Sequence, residues 1–269
     1  MDLKQLAKNI RIDALKSIAT VGSGHVGGSM SIAEVLAVLY GKLMRYDPKN
    51  PKMEGRDRLV VSKGHVGPAV YAALGNVGFF NKEDLIATLN KGGTKFPSHC
   101  NGTKVPGVDF STGSLGQGLS AAAGMALSSK LKGDGATIYA IVGDGELQEG
   151  QIWEAAMFAA HQKLGNLIAF VDKNGAQIDG TTDDVCSVGD VEKKWIDFNW
   201  ATVSCDGHDT DAIIAAVEEV KKDKDRPKMI VLNTVKGKGI SFAEAVKHKC
   251  HSMTVDSDML ARALKEIDV

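Results

Sequence analysis

Residues 137–143 read TIYAIVG, followed by DGELQEG over 144–150, QIWEAAMFAAHQKLG over 151–165 and NLIAFVDKN over 166–174. TIYAIVG and LIAFV are short, unbroken apolar runs, and the stretch from Gln151 between them is long enough for a helix. A strand, a glycine-flanked turn, a helix of ten or more residues and a second strand make a βαβ unit. Strands of such units run parallel. They are continuously apolar, not alternating, when helices cover both faces of the sheet.

The same order recurs on either side. LVVS at 59–62 runs into KGHVGPAVYAALGNVG, and ATVSCDG at 201–207 is followed by DAIIAAVEEVKK and then by KMIVLNTVKG. The chain opens on an amphipathic helix with Leu3, Leu6, Ile10, Ala14 and Leu15 on one face. That helix breaks at VGSGHVGGSM. A second, SIAEVLAVLYGKLM, is expected to start at Ser31, with Glu34 three residues on completing a capping box. Residues 47–58 are polar and carry two prolines, the mark of a surface loop, and a short helix is expected around 258–267. The pattern predicts one α/β domain over residues 1–269, a mostly parallel sheet with helices on both faces.

A length of 269 residues suffices for a full core. Hydrophobic residues make up 43% and charged residues 24%, ordinary values for a globular protein. A net charge of −1 gives no electrostatic reason to expect nucleic acid or an anionic membrane as partner. Cys100, Cys186, Cys205 and Cys250 form no CxxC pair, so neither a zinc knuckle nor a dithiol redox site is indicated. The N-terminus has mixed charge and no unbroken apolar segment, and no stretch reaches the length of a membrane span. A soluble, cytoplasmic protein is expected.

Open parallel sheets bind ligands at the carboxyl ends of their strands. Three strands here end in polar residues: Asp144, residues 172–174 including Asn174, and Lys236. A site should therefore gather Asp144, Asn174 and Lys236. In Gly143-Asp144-Gly145 the glycines let backbone approach a ligand, and the following helix offers unpaired N–H groups to an anion. A carboxylate there repels phosphate unless a divalent cation bridges them. Magnesium suits that role, held by a few protein oxygens and the ligand's phosphates. Asn174 would add a neutral oxygen, and the carbonyl of Ala176 a third. The tripeptide alone marks only a strand-to-helix turn; its pairing with an asparagine at the end of the next strand is far rarer.

GDGELQEGQIWEA and DKNGAQIDG resemble the thiamine-diphosphate motif of transketolases. SGHVGGSM, SKGHVGPAVYAAL and PGVDFSTGSLGQGLSAAAGMAL resemble the same family's other loops, in its order and over nearly the whole chain. The resemblance implies the diphosphate-binding domain of a thiamine-diphosphate fold, acting in carbohydrate metabolism such as the pentose phosphate pathway. Asp144, Asn174 and Ala176 would hold magnesium, with calcium or manganese able to substitute. Gly145 and His65 would contact the diphosphate. Gly113, Leu115 and Ile178 would line the cofactor's rings, with Ser114 standing where many relatives have proline. Glu149 would reach toward a symmetry mate, whereas Glu154 is read as structural.

His25, His65 and His99 fall on matched motifs and would move protons around a two-carbon fragment, work that suits groups titrating near neutrality. PSHC around His99 departs from the family's Gly-His-Pro. A fourth histidine is expected after NTVKGKG; His248 and His251 both qualify, and spacing favours His251. Lys236 could meet diphosphate or substrate, or simply face solvent. His161 and His208 match nothing catalytic.

The resemblance covers only the first part of a complete transketolase. It implies the N-terminal subunit of a split enzyme, paired as α2β2 with a C-terminal subunit supplying the pyrimidine-binding domain, with sugar phosphates as substrates. The helix GLSAAAGMAL could pack at that interface or simply against the sheet. Competing readings are a 1-deoxyxylulose-5-phosphate-synthase-like subunit, the α subunit of a 2-oxo-acid dehydrogenase, which the two histidine loops fit poorly, and a non-catalytic homologue. The departures PSHC and HKCHSM hint at a non-standard ketose, a sulfonated one included.

Overall fold

The computed structural model describes residues 1–268. Five strands, β1 (Arg58–Val61), β2 (Ile138–Gly143), β3 (Leu167–Lys173), β4 (Ala201–Asp206) and β5 (Lys228–Asn233), form one parallel sheet in the order β1-β2-β3-β5-β4. The unbroken apolar runs explain how it is covered. Successive side chains point to opposite faces. Leu59, Val61, Tyr139, Ile141, Ile168, Phe170, Ile230 and Leu232 join one buried cluster, and Val60, Ala140, Val142, Ala169, Val171, Met229 and Val231 join another. The helices Leu3–Val21, Ala33–Val38, Gly67–Asn76 and Thr210–Val220 contribute to the first cluster. Gln117–Lys132, Gly150–His161 and Val191–Asp197 contribute to the second. Among the described residues, no helix is long and apolar enough to cross a membrane.

The N-terminal helix starts where its cap dictates: the Asp2 carboxylate accepts from the amides of Lys4 and Gln5. The second helical region departs from the sequence reading. Helix Val26–Ser31 lies inside the glycine-rich run, a break falls at Ile32, Ala33–Val38 follows, and a wide π turn spans Leu39–Leu43. Ser31 is therefore no N-cap and there is no capping box. Its hydroxyl donates to Gly28 O and to Asp172, while Glu34 is taken by Arg11, which donates to both carboxylate oxygens at 2.5 and 2.7 Å. Arg11 and Glu34 are both buried, and a buried guanidinium without a counter-charge costs far more than a missing cap. Gly27 is needed for packing, because a Cβ there would lie 2.6 Å from Cys250 Sγ. A short antiparallel pair, Ser23–Gly24 with Met253–Thr254, joins the two ends of the chain beside it.

Candidate active site

Loops at the carboxyl ends of β1, β2, β3 and β5 surround a cavity of about 390 Å³, joined by segments around His25, His99 and His251. Asp144, Asn174, Ala176 and Lys236 all line it, as the strand-end argument requires. A wider hollow at the opposite end of the sheet is rimmed by lysines. Those lysines serve carbonyls near helix ends: Lys130 donates to Gln162 O and Lys163 O, and Lys224 to Lys221 O. It offers no comparable set of converging groups.

Two buried carboxylates hold the loops in place. Asp172, fully buried at the end of β3, accepts from Thr234 Oγ1 at 2.5 Å, Ser31 Oγ at 2.7 Å and Asn174 Nδ2 at 2.9 Å, and pairs with Lys63. Burial alone would raise its pKa, but Lys63, Thr234 and Ser31 hold it below the ordinary value. Glu146 accepts from Ser62 Oγ, from Gly116 N at 2.8 Å and from Gly143 N at 3.0 Å. These two side chains tie together six segments, around residues 31, 62–63, 116, 143–146, 172–174 and 234. Gly64 lets two of the loops touch, since a Cβ there would lie 2.3 Å from Thr112 O.

Asp144 is buried, and among the described residues its oxygens accept only from the backbone amides of Gly145 at 2.8 Å and Gly175 at 2.5 Å. Burial and the neighbouring Asp172 push its pKa up to about 6. Such a carboxylate gains most from a cation. Asn174 and Ala176 line the same cavity, so their oxygens are of the kind a divalent cation takes, although Ala176 O is held by Lys236 here. Lys236 Nζ donates to Ala176 O at 2.7 Å and lies 3.4 Å from His251 Nδ1, so it is buried in the site and not solvated.

The four histidines face one another. The His25 ring centroid is 5.2 Å from that of His65, 5.5 Å from His99 and 5.2 Å from His251, and His65 and His251 are 4.8 Å apart. Burial lowers the pKa of all four. Lys236 adds to the effect at His25, His65 and His251, the last being lowered to about 4. At neutral pH each ring therefore carries one donor and one acceptor nitrogen. His251, not His248, lines the cavity.

Gly113, Leu115, Gly145, Glu149 and Ile178 also line it, but Ser114 does not; it faces solvent from the loop. Leu115 is 38% and Ile178 66% exposed, so one wall is open. Glu149 is exposed at the N-cap of helix Gly150–His161 and makes no capping bond. Asp172, Lys63, Glu146 and Ser62 were not assigned roles from sequence. Asp172 and Lys63 stand at ends of apolar strands, the one signal that could have marked them.

Residues 3–267 match the family described as transketolase, thiamine diphosphate binding domain. The chain belongs to the transketolases. It is 52% identical over 268 residues to a Clostridium protein named as a subunit of 6-deoxy-6-sulfo-D-fructose transketolase, covering 100% of this chain and 97% of that one. It is 37% identical to one of the subunits of apulose-4-phosphate transketolase from Phocaeicola vulgatus, over 91% and 86% of the two chains. Human transketolase is 35% identical over 98% of this chain but 42% of its own length. Among solved structures, a transketolase from Pichia stipitis superposes with a TM-score of 0.92 at 33% identity, over 98% of this chain and 40% of that one. As one subunit of a transketolase, the chain serves transfer of a two-carbon ketol unit with thiamine diphosphate, and the fold is that of the cofactor-binding domain.

Proposed function

We propose that the chain is a single diphosphate-binding domain that works as the N-terminal subunit of a split cytoplasmic transketolase. Its partner would be a C-terminal subunit that closes the wall at Leu115 and Ile178, in an α2β2 assembly. The observation that carries this reading is a cavity in which four neutral histidines and three hard oxygens converge while one apolar wall lies open. The names of the two relatives described as subunits support a partner.

Asp144, Asn174 Oδ1 and Ala176 O would hold magnesium, or calcium or manganese in its place, against the diphosphate. Gly145 N, His65 and Lys236 would contact the diphosphate oxygens, and Gly113, Leu115 and Ile178 would line the rings. Thiamine diphosphate supplies the carbon that takes up the two-carbon unit. The chain's own part is to orient the ketose and move its protons. A neutral histidine can accept a hydroxyl proton at one nitrogen while donating to a sugar oxygen at the other, and His25, His99 and His251 are placed for both. Glu149, on the cavity rim, would meet a second copy of the subunit.

For the donor, the relative with the higher identity of these two favours 6-deoxy-6-sulfo-D-fructose over a sugar phosphate. The test is ketol transfer by this chain mixed with a candidate C-terminal subunit, comparing the sulfonated ketose with fructose 6-phosphate. Preference for the sulfonate, dependent on both chains and lost in Asp144→Ala, is expected. Equal or better use of the phosphate would overturn the substrate assignment, and full activity of this chain alone would overturn the split arrangement.

A further inference from the structure

His208 lies outside the cavity, in the loop after β4, yet a continuous set of hydrogen bonds connects it to the loop that carries Lys236. Val235 N donates to His208 Nε2 at 2.8 Å. A backbone amide can only donate, so Nε2 is the bare nitrogen and the ring proton of the neutral imidazole sits on Nδ1. Nδ1 lies 3.1 Å from Glu34 Oε2 and donates to it. Glu34 is in turn gripped by Arg11 from the N-terminal helix. The imidazole is thus a rigid spacer between a buried ion pair and the amide immediately before Lys236.

The two loops are also pressed together. Gly207 N donates to Asn233 O at 2.9 Å, and a Cβ on Gly207 would lie 2.4 Å from Thr234 Cγ2. Farther along, Gly237 N donates to Gly27 O at 3.0 Å. Lys236 therefore sits between two backbone anchors, and His208 supplies the one that depends on a side chain.

We propose that His208 is a positioning residue of the active site: by holding the amide of Val235 it keeps the Lys236 ammonium inside the cavity, beside His251, where a diphosphate would lie. This rests on the reading that Lys236 belongs to the cofactor site. The geometry makes the two ring nitrogens separable by substitution. His208→Gln can keep an acceptor near the Nε2 position, whereas His208→Asn is too short to reach Val235 but can still donate toward Glu34.

The test measures affinity for thiamine diphosphate with magnesium by calorimetry on the purified chain with its C-terminal subunit, together with each variant's thermal midpoint. His208→Asn should weaken binding by roughly three- to tenfold, the worth of one hydrogen bond, and His208→Gln should restore most of it. Combined with Lys236→Met, which itself weakens binding, His208→Asn should add less than about twofold, because groups acting through one another are not additive. Undiminished binding in His208→Asn overturns the proposal, as does an equal loss with and without Lys236. A loss in His208→Asn that only tracks a lower thermal midpoint, unrelieved by glutamine, would make the residue merely structural and also overturn it. If Lys236→Met binds as tightly as the wild type, the assignment of Lys236 fails first, a result distinguishable from the others.

Discussion

Asp172→Asn is the most informative single change. The carboxylate is fully buried and the Lys63 side chain is 3% exposed. An asparagine would leave the ammonium facing a neutral amide, with Gly28 O at 3.3 Å as its remaining acceptor. Removing one member of a buried ion pair costs about 3–5 kcal/mol, because the other charge stays desolvated. The amide would also turn an N–H group toward one of the donors Ser31, Thr234 or Asn174, so the upper half of that range is expected. Urea denaturation of the purified chain, extrapolated linearly, reads the loss directly. Lys63→Met should also destabilise. The double variant removes both charges and should cost at least about 2 kcal/mol less than the sum of the singles. A loss below about 1 kcal/mol for Asp172→Asn, or additivity within about 0.5 kcal/mol, would refute the idea that this pair holds the loops.

Glu146→Gln should cost about 2–4 kcal/mol in the same assay, since one of three buried donors loses its acceptor and meets a new N–H group; an unchanged urea midpoint would contradict this. Gly64→Ala should cost about 1–3 kcal/mol by pushing the His65 loop off Thr112 O, whereas Gly124→Ala, with nothing within 4 Å of its Cβ, should stabilise its helix by up to about 1 kcal/mol. The histidine cluster sets a pH dependence. All four folded-state pKa values lie below 6.5, so the unfolded chain takes up these protons first on acidification. Stability from them is complete above about pH 6.5 and lost as the pH falls toward 4. Asp144, raised to about 6, opposes this as one group against four, so the urea midpoint should drop between pH 7.5 and 5, and a rise would contradict the assignment.

The central strands were legible because burial on both faces keeps their interiors apolar, and their polar ends then marked the binding edge. That is why Asp144 and Asn174 could be paired from sequence alone. Glu34 shows where local patterns fail. Three residues after Ser31 it looks like half of a cap, but Arg11 lies twenty-three residues earlier and only packing brings it near. Glu146 could not be placed either, because Ser62 and Gly116, two of its three donors, lie in segments that no spacing rule connects to it. His208 gave no signal, because its partners are a backbone amide and a carboxylate far along the chain. The exposure of Ile178 likewise depends on which surfaces meet at the cavity mouth.

The pairing of Ser23–Gly24 with Met253–Thr254 has a consequence for biosynthesis. His25 and His251 face each other at 5.2 Å although almost the whole chain separates them. At a translation rate of about 5–20 residues per second, the first histidine waits roughly ten to fifty seconds before the last is made. The central βαβ unit can condense on the ribosome in that interval, but the glycine-lined segment that bears His25 cannot reach its final neighbours. Assembly of the histidine-lined cavity is therefore a late event, governed by closure of a very long loop and not by formation of the sheet.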